Sequence, residues 1–459
     1  MADHDLERSL GLYPTMMISM GAMIGSGIFV LPALGYEKAG PAVILAYVLA
    51  ALVVLPAALS KAEMATAMPE SGGTYLYIDR ALGPLFGTIA GLGAWFSLTF
   101  KSSFALVGLG AYLLLLIPVP EGAVTFVALG LGASIVALNV SGTKLSGQIQ
   151  AVIVSVVLVG LTAYTLNAGF AIDTARYTPF LPEENVDIVT AAAFVFVSYA
   201  GVTKIASVAE EVKDPSRNLP RAMIGSLAIM TIIYLAVVGA VVGLSDPETL
   251  TRGGPDGTAS LTPMADGAGA LLGGFGVVII SVIAVVALTS MGNAGVMSSS
   301  RFPLAMSRDD LLPSALRTID SRFATPRNSI LLTGVVLLGL IAFVPVIELA
   351  KLASAFQILV FSIINVALIA FRVADQASYD PTFTAPGYPY VQVFGLLAGF
   401  GLLTQMGTLP ILGAVGIIAS GAVVYFVYGR SRTDRTGAVG SILARRFGGV
   451  EEVPPAEVD

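Results

Sequence analysis

Of 459 residues, 56% are hydrophobic and only 12% are charged, too few to solvate the surface of a soluble protein of this length. Acidic residues outnumber basic ones, for a net charge of -6, which argues against the basic face that nucleic-acid binding requires. Cysteine is absent and the single histidine, His4, lies in the N-terminal tail, so disulfides, thiolate metal sites and histidine-based intramembrane catalysis have no residues to use. The start, Met1 to Arg8, is polar and acidic, unlike the basic-then-apolar pattern of a cleavable leader.

Apolar segments fall near residues 12–36, 41–66, 84–116, 122–140, 145–168, 188–209, 220–244, 271–299, 328–345, 348–371, 390–408 and 410–429, each close to the ~20 residues needed to cross a bilayer. The pattern predicts an all-α polytopic membrane protein of about twelve spans, with tails over 1–11 and 430–459. An even number puts both termini on one side. Loop 300–327 holds Arg301, Arg308, Arg317, Arg322 and Arg327, and with loops 61–83 and 210–221 and the tail from 430 it holds most of the arginines and lysines, so the positive-inside rule places both termini in the cytoplasm. The tail from Arg430 is basic as far as Arg446 and then acidic, an interfacial segment followed by disorder.

The first span contains an interruption, Gly25-Ser26-Gly27, within Gly21 to Leu31. Glycine weakens helical hydrogen bonding, and irregular backbone at membrane depth is tolerated only where protein or a polar cavity satisfies it. The freed N–H groups at the positive end of a half-helix suit a carboxylate. The competing reading is a small-residue helix contact, since Gly21 and Gly25 also form a GxxxG. Span 6 carries a second interruption, Ser198-Tyr199-Ala200-Gly201. Because five is odd, two five-span repeats, 12–168 and 188–371, would be inserted in opposite senses with their broken helices facing at the midplane, leaving 390–429 as two additional spans.

Four strings in order, Gly21 to Phe29, Ala62 to Tyr77, Glu210 to Arg221 and Ser300 to Pro313, resemble the signatures of the amino acid–polyamine–organocation permeases, and the resemblance covers residues 10 to 430. It implies the five-plus-five inverted-repeat fold of leucine-transporter type and secondary active transport of an amino acid. It also implies a site in which Gly25, Ser26 and Gly27 bind the carboxylate while carbonyls of Met23, Val197, Ser198 and Ala200 meet the ammonium group. The polarity agrees with the physics: a helix start offers N–H donors and a helix end offers carbonyls. Phe29, Phe196 and Tyr199 are candidate gates, although aromatic residues there also serve plain packing.

Lys101 in span 3 and Lys204 just past the span 6 interruption are the cations this reading places inside the membrane, Lys61 being assigned to loop 61–83. Ionised lysine there is costly, so each faces a cavity or a partner; the equal alternatives are that Lys101 snorkels or pairs with a carbonyl and that Lys204 reaches Glu210 or Glu211 one or two turns on. Proton-coupled relatives carry a lysine on helix 5, where this sequence has Val157. Coupling therefore has three options: a sodium ion at carbonyls near Gly21 and Ile24 plus the hydroxyl of Thr289 or Ser290, a proton carried by Lys101 or Lys204, or uncoupled exchange. No other cofactor is implied. Glu348 and Lys351 read as a local salt bridge, and Glu210 and Glu211 with Arg301 and Arg308 as a cytoplasmic latch or loop support.

A channel would need a carbonyl filter or a charge ring, and no such segment is present. A polyamine or amine permease, or a nutrient sensor on the same scaffold, would keep the binding site. The cargo is expected to be a small molecule, and the number of subunits is not encoded in any pattern here.

Overall fold

The computed structural model describes residues 8, 10–69, 73–117, 123–142, 147–181, 187–254, 257–375, 379–433, 435–440 and 442. The N-terminal residues 1–7 and the tail beyond 442, including its acidic end, lie outside the described residues. Among the described residues the chain is helical, with one isolated backbone pairing, Leu10 with Val212.

Long apolar stretches form helices because lipid offers no partner to a backbone N–H or carbonyl. Among the described residues, eight helices are long and apolar enough to cross a membrane, and three shorter apolar ones accompany them. Span 1 is split into α1 (Leu12–Met23), α2 (Ser26–Phe29) and α3 (Leu31–Ala39), followed by α4 (Val43–Ala67). A short α5 (Gly73–Leu82) leads into α6 (Pro84–Leu114), α7 (Val124–Val140) and α8 (Gly147–Ala168). Span 6 starts as α9 (Ile188–Val195) and tightens into a 3₁₀ helix over Phe196–Glu211. The remainder is α10 (Pro215–Leu244), α11 (Pro247–Arg252), α12 (Pro263–Ser299), α13 (Arg301–Arg308), α14 (Arg327–Phe343), α15 (Val346–Ala374), α16 (Tyr390–Thr404) and α17 (Thr408–Val424). Gly273 breaks α12 near its start, adopting φ 60°, where a side chain would be strained.

Two expectations change here. The interruption of span 6 is a change of winding, and a 16-residue 3₁₀ run is far longer than the few residues usual for that helix. Loop 61–83 is also shorter than its composition suggests: α4 continues to Ala67, which puts Lys61 and Glu63 inside a packed helix. Both are buried, at 2% and 0% exposure.

Helices sort into inner and outer by what they bury. The apolar stretch of α15 is 83% buried and that of α6 78%, whereas that of α17 is 17% buried and that of α8 28%. The outer helices expose Phe126, Val159, Phe275, Val335 and Leu397, the surface that lipid covers. Inside, α1 packs on the 3₁₀ segment and α10, α6 packs on α12 and α15, and α4 packs on α10. Leu10 donates its N–H to Glu211 O at 2.9 Å and accepts from Lys213 N at 2.8 Å, tying the start of span 1 to the end of span 6. The predicted Glu348–Lys351 pair is present at 2.6 Å.

The most heavily satisfied charge is Glu63. It accepts from Arg372 Nε at 2.8 Å and Nη2 at 2.5 Å, from Tyr379 Oη at 3.1 Å and from Ala385 N at 2.6 Å, joining α4 to α15 and to the segment that follows it. Removing one member of such a pair leaves a buried charge uncompensated, at a cost of about 3–5 kcal/mol. Arg372→Met should therefore lower the apparent melting temperature in detergent by many degrees, and Glu63→Gln added to it should recover at least half of the loss. Additive losses in the double variant would show that the two side chains do not act as a pair.

Candidate substrate site

The break in span 1 follows from three residues. α1 ends at Met23, Ile24 turns extended (φ -70°, ψ 119°) with its N–H still bonded to Met20 O at 2.7 Å, and Gly25 is extended at φ 165°. Helical bonding resumes when Ile28 and Phe29 donate to Gly25 O, both at 3.0 Å. Between the two half-helices, carbonyls at the end of α1 and N–H groups at the start of α2 are released.

Carbonyls on both sides of the break are claimed by side chains from other spans. Lys101 Nζ donates to Ala22 O at 3.2 Å, and Tyr234 Oη donates to Met23 O at 2.7 Å and lies 3.2 Å from Ser198 O, bridging the two interrupted spans. Tyr47 Oη donates to Gly27 O at 2.8 Å, Tyr112 Oη to Phe29 O at 2.7 Å, and Tyr199 Oη to Tyr47 O at 3.1 Å. All four tyrosines are fully buried. The donor side differs. The N–H groups of Ser26 and Gly27 find no acceptor among the described residues, and the buried Ser26 Oγ has no partner either.

Glycine sets how closely the two spans approach. A Cβ on Gly27 would lie 2.6 Å from Ser198 Oγ, and one on Gly201 would overlap the backbone of Ala22, 2.6 Å from the Met23 nitrogen. A Cβ on Gly25 would overlap the Met291 thioether. The GxxxG reading thus holds a part of the answer, in that Gly21 faces Val154 of α8 while Gly25 faces α12.

Beside this crossing lies a cavity of about 630 Å³. Gly21 and Ala22 line it from span 1 and Ala200 and Gly201 from span 6, with Met291, Lys61, Lys101 and Lys204 around them; it runs past Glu210 and Glu211 to Arg301, Arg308 and Asp309. Three of the four recognised strings therefore meet at one end of the bundle, and the fourth, Gly21 to Phe29, forms the inner end of the cavity.

Of the expected substrate residues, Ala200 lines the cavity, while Met23, Gly25, Ser26, Gly27, Val197 and Ser198 are buried together just behind it. Met291 lines the cavity and lies against Gly25, so its flexible side chain stands between the two. The aromatic candidates are packed: Phe29 edge-on to Tyr112 at 5.9 Å, Phe196 to Phe361 at 5.8 Å, and Tyr199 to Tyr234 at 5.0 Å. Of the candidate sodium residues, Gly21 lines the cavity, Ile24 is buried and Ser290 half-buried, whereas Thr289 is exposed. Val157 is buried in α8. Both predicted lysines line the cavity, and Lys204 Nζ donates to Ala294 O at 3.4 Å.

Sequence reading missed Lys61, Tyr47, Tyr112, Tyr234 and Met291. For the tyrosines a signal was present, because a hydroxyl in an apolar span needs a partner.

A family model for amino acid permeases matches residues 10–439. The chain belongs to this family. It is 30% identical over 451 residues to a branched-chain amino acid permease of Bacillus subtilis, covering 94% of this chain and 95% of the relative. It is 28% identical over 447 residues to a methylthioribose transporter of the same organism, covering 93% and 95%. It is also 28% identical over 395 residues to cationic amino acid transporter 5 of Arabidopsis thaliana, covering 81% of this chain and 66% of the relative. The protein is thus a multi-pass permease of the amino acid–polyamine–organocation superfamily, with the helical leucine-transporter-type fold, and not an enzyme.

The permease's glycine contacts differ in what they press against. At Gly201 a methyl group meets backbone, which cannot yield, and at Gly25 it meets a thioether that can swing. Gly201→Ala should lower the apparent melting temperature clearly more than Gly25→Ala does. Equal melting of the two would show that the spans do not cross at Gly201.

Proposed function

We propose that this permease is a secondary active transporter that carries an amino acid across the cytoplasmic membrane by alternating access, with both termini in the cytoplasm. The observation that carries this reading is the unsatisfied donor set at the break: two N–H groups and the Ser26 hydroxyl, all buried, with no acceptor of their own. Buried polar groups are rarely left unpaired, and a carboxylate supplies acceptors for all three. The ammonium group is placed among the carbonyls of Met23, Val197, Ser198 and Ala200. Tyr234 already donates to Met23 O, but a carbonyl accepts two bonds, so a ligand can share it.

The end lined by Arg301, Arg308, Glu210 and Asp309 is assigned to the cytoplasm on the positive-inside rule. The cavity then represents the inward path, with Met291 between it and the ligand. In the alternate state, movement of span 1 against span 6 about their glycine contact would close this path and open the other.

For coupling, the reading favours a proton carried by Lys101 over sodium. Lys101 Nζ donates to Ala22 O, a carbonyl freed by the break, so its protonation state and the position of α1 are mechanically joined. With Thr289 exposed, the half-buried Ser290 is the α12 hydroxyl left to the sodium alternative.

If both ends of a zwitterion are recognised, decarboxylated and N-acetylated analogues should each lose most of their affinity, because each leaves a buried polar end unpaired. Ser26→Ala, which removes one of the three donors without adding bulk, should weaken binding by about tenfold in protein that remains monodisperse. An amine without a carboxylate competing as well as the amino acid would turn the reading to amine transport, methylthioribose competing instead would point to a sugar-like cargo, and saturable binding without uptake would indicate a sensor.

Lys101→Ala should remove the pH dependence of uptake into proteoliposomes, and uptake by the unmodified protein should persist without sodium. Uptake driven by a sodium gradient at fixed pH and retained in Lys101→Ala would overturn the proton assignment.

A further inference from the structure

The chain after α17 does not trail away from the bundle. Ala438 is buried, and Val439 and Ile442 pack against the core. The seat of this segment is built by two glycines in the left-handed region, Gly83 at φ 89° and Gly437 at φ 65°. A Cβ on Gly437 would lie 2.5 Å from the Gly83 nitrogen, and one on Gly83 3.2 Å from Thr436 O, so a side chain at either position is both strained and crowded. The turn between α5 and α6 and the backbone after Arg435 therefore lie back to back, which brings Arg435 beside α5.

From there one guanidinium meets acids of two mouth elements. Arg435 Nη1 lies 3.1 Å from Asp309 Oδ1, just after α13, and 3.5 Å from Asp79 Oδ2 of α5, while Nη2 donates to Asp309 O at 3.3 Å. Asp79 is 2% exposed and lies against Gly87 of α6, where a Cβ would be 2.7 Å from its Oδ1. A carboxylate so buried is costly without a cation in contact, and Arg435 supplies one. Asp309 also accepts from Tyr75 Oη at 2.8 Å, and Tyr75 and Asp309 both line the cavity. The tail is thus joined to the wall of the cavity at its mouth.

We propose that Arg435 is a positioning residue for transport: the tail straps α5 to the end of α13 and so favours the conformation in which the cavity opens at its Arg301 and Arg308 end. The proposal rests on the inward-path reading above. The strap is formed in the conformation whose cavity runs to this end. α5 is the element through which it acts, because α5 packs on α6 and α15 and also on the 3₁₀ segment of span 6. Closing the mouth brings the ends of spans 1 and 6 toward α5 and Asp309, and Arg435 holds both of these back on the outer side. A contact made in one conformation and lost in the other shifts the equilibrium toward the first by its own free energy. Arg435 is 43% exposed, so the contact is modest and the expected shift is a several-fold one.

The sequence contains no cysteine, so one introduced cysteine is a unique labelling site. In the full chain, Ser298→Cys places it on the cavity wall, and Ala315→Cys, exposed in the segment after α13, serves as the reference. Both are reacted in proteoliposomes with a membrane-impermeant methanethiosulfonate from the side that reaches Ala315→Cys. Arg435→Ala is expected to slow labelling of Ser298→Cys by about threefold or more relative to the reference, with Asp79→Asn acting in the same direction. An unchanged rate in Arg435→Ala would overturn the proposal, and so would a faster one, the signature of a tail that obstructs the mouth. Should Arg435→Ala aggregate, the same criterion applies to Asp79→Asn, which keeps the shape of the side chain. If Ser298→Cys with an intact strap is not labelled from this side at all, the inward-path reading itself falls, and the proposal with it.

Discussion

A backbone group released inside a bilayer must find a partner within the protein, and the centre of this permease is arranged around that requirement. Interrupting span 1 at Gly25 frees carbonyls on one side and N–H groups on the other. Tyr47, Tyr112, Tyr234 and Lys101 satisfy carbonyls from four directions, recruiting α4, α6 and α10 into the site. The break is thereby a point of attachment, since each neighbouring helix that serves it is fixed in position. What remains unsatisfied is the donor half, and the same constraint makes that half a place for an outside ligand.

Close approach of spans 1 and 6 is the second condition. Gly201 against the backbone of Ala22 and Gly27 against Ser198 bring two irregular segments to a distance that any side chain would prevent. The 3₁₀ winding of span 6 belongs to the same arrangement. Tighter winding gives poorer hydrogen-bond geometry than an α-helix, so the segment depends on contacts such as Tyr234 to Ser198 O and the Leu10 pairing at its end. Elements held by such tertiary contacts are easier to shift than a continuous α-helix.

At the other end of the cavity the charges are organised by the connecting segments. Tyr75 Oη donates to Asp309 Oδ2 at 2.8 Å, and Arg435, from the segment after α17, lies 3.1 Å from Asp309 Oδ1 and 3.5 Å from Asp79 Oδ2. Burial raises the Asp79 carboxyl to about 6 even though Arg435 draws it down. The chain after the last helix thus reaches α5 and α13, both at the mouth of the cavity, and Thr436 and Gly437 rest on Gly83 at the turn between α5 and α6. Deeper in, Glu63 and Arg372 neutralise each other.

The sequence by itself determined the helical membrane class, most span positions, the break at Gly25 and the family, because hydropathy, glycine triplets and ordered local strings are properties of neighbouring residues. It also placed Lys101 and Lys204 in the interior, since a charge inside an apolar run is visible without a fold. Lys61 was hidden by its position near a polar stretch: only the tertiary structure shows that α4 continues past it and that its ammonium group meets Thr74 of α5 at the cavity wall. Tyr234 and Met291 became site residues for the same reason, as their partners at Met23, Ser198 and Gly25 are distant in the chain. Thr289 and Ser290 show the converse, because hydroxyls on a helix carry no mark of which face turns inward. Which released backbone groups are satisfied and which are left for a ligand was decided by packing alone, because a hydrogen bond depends on proximity in space and a sequence records only proximity along the chain.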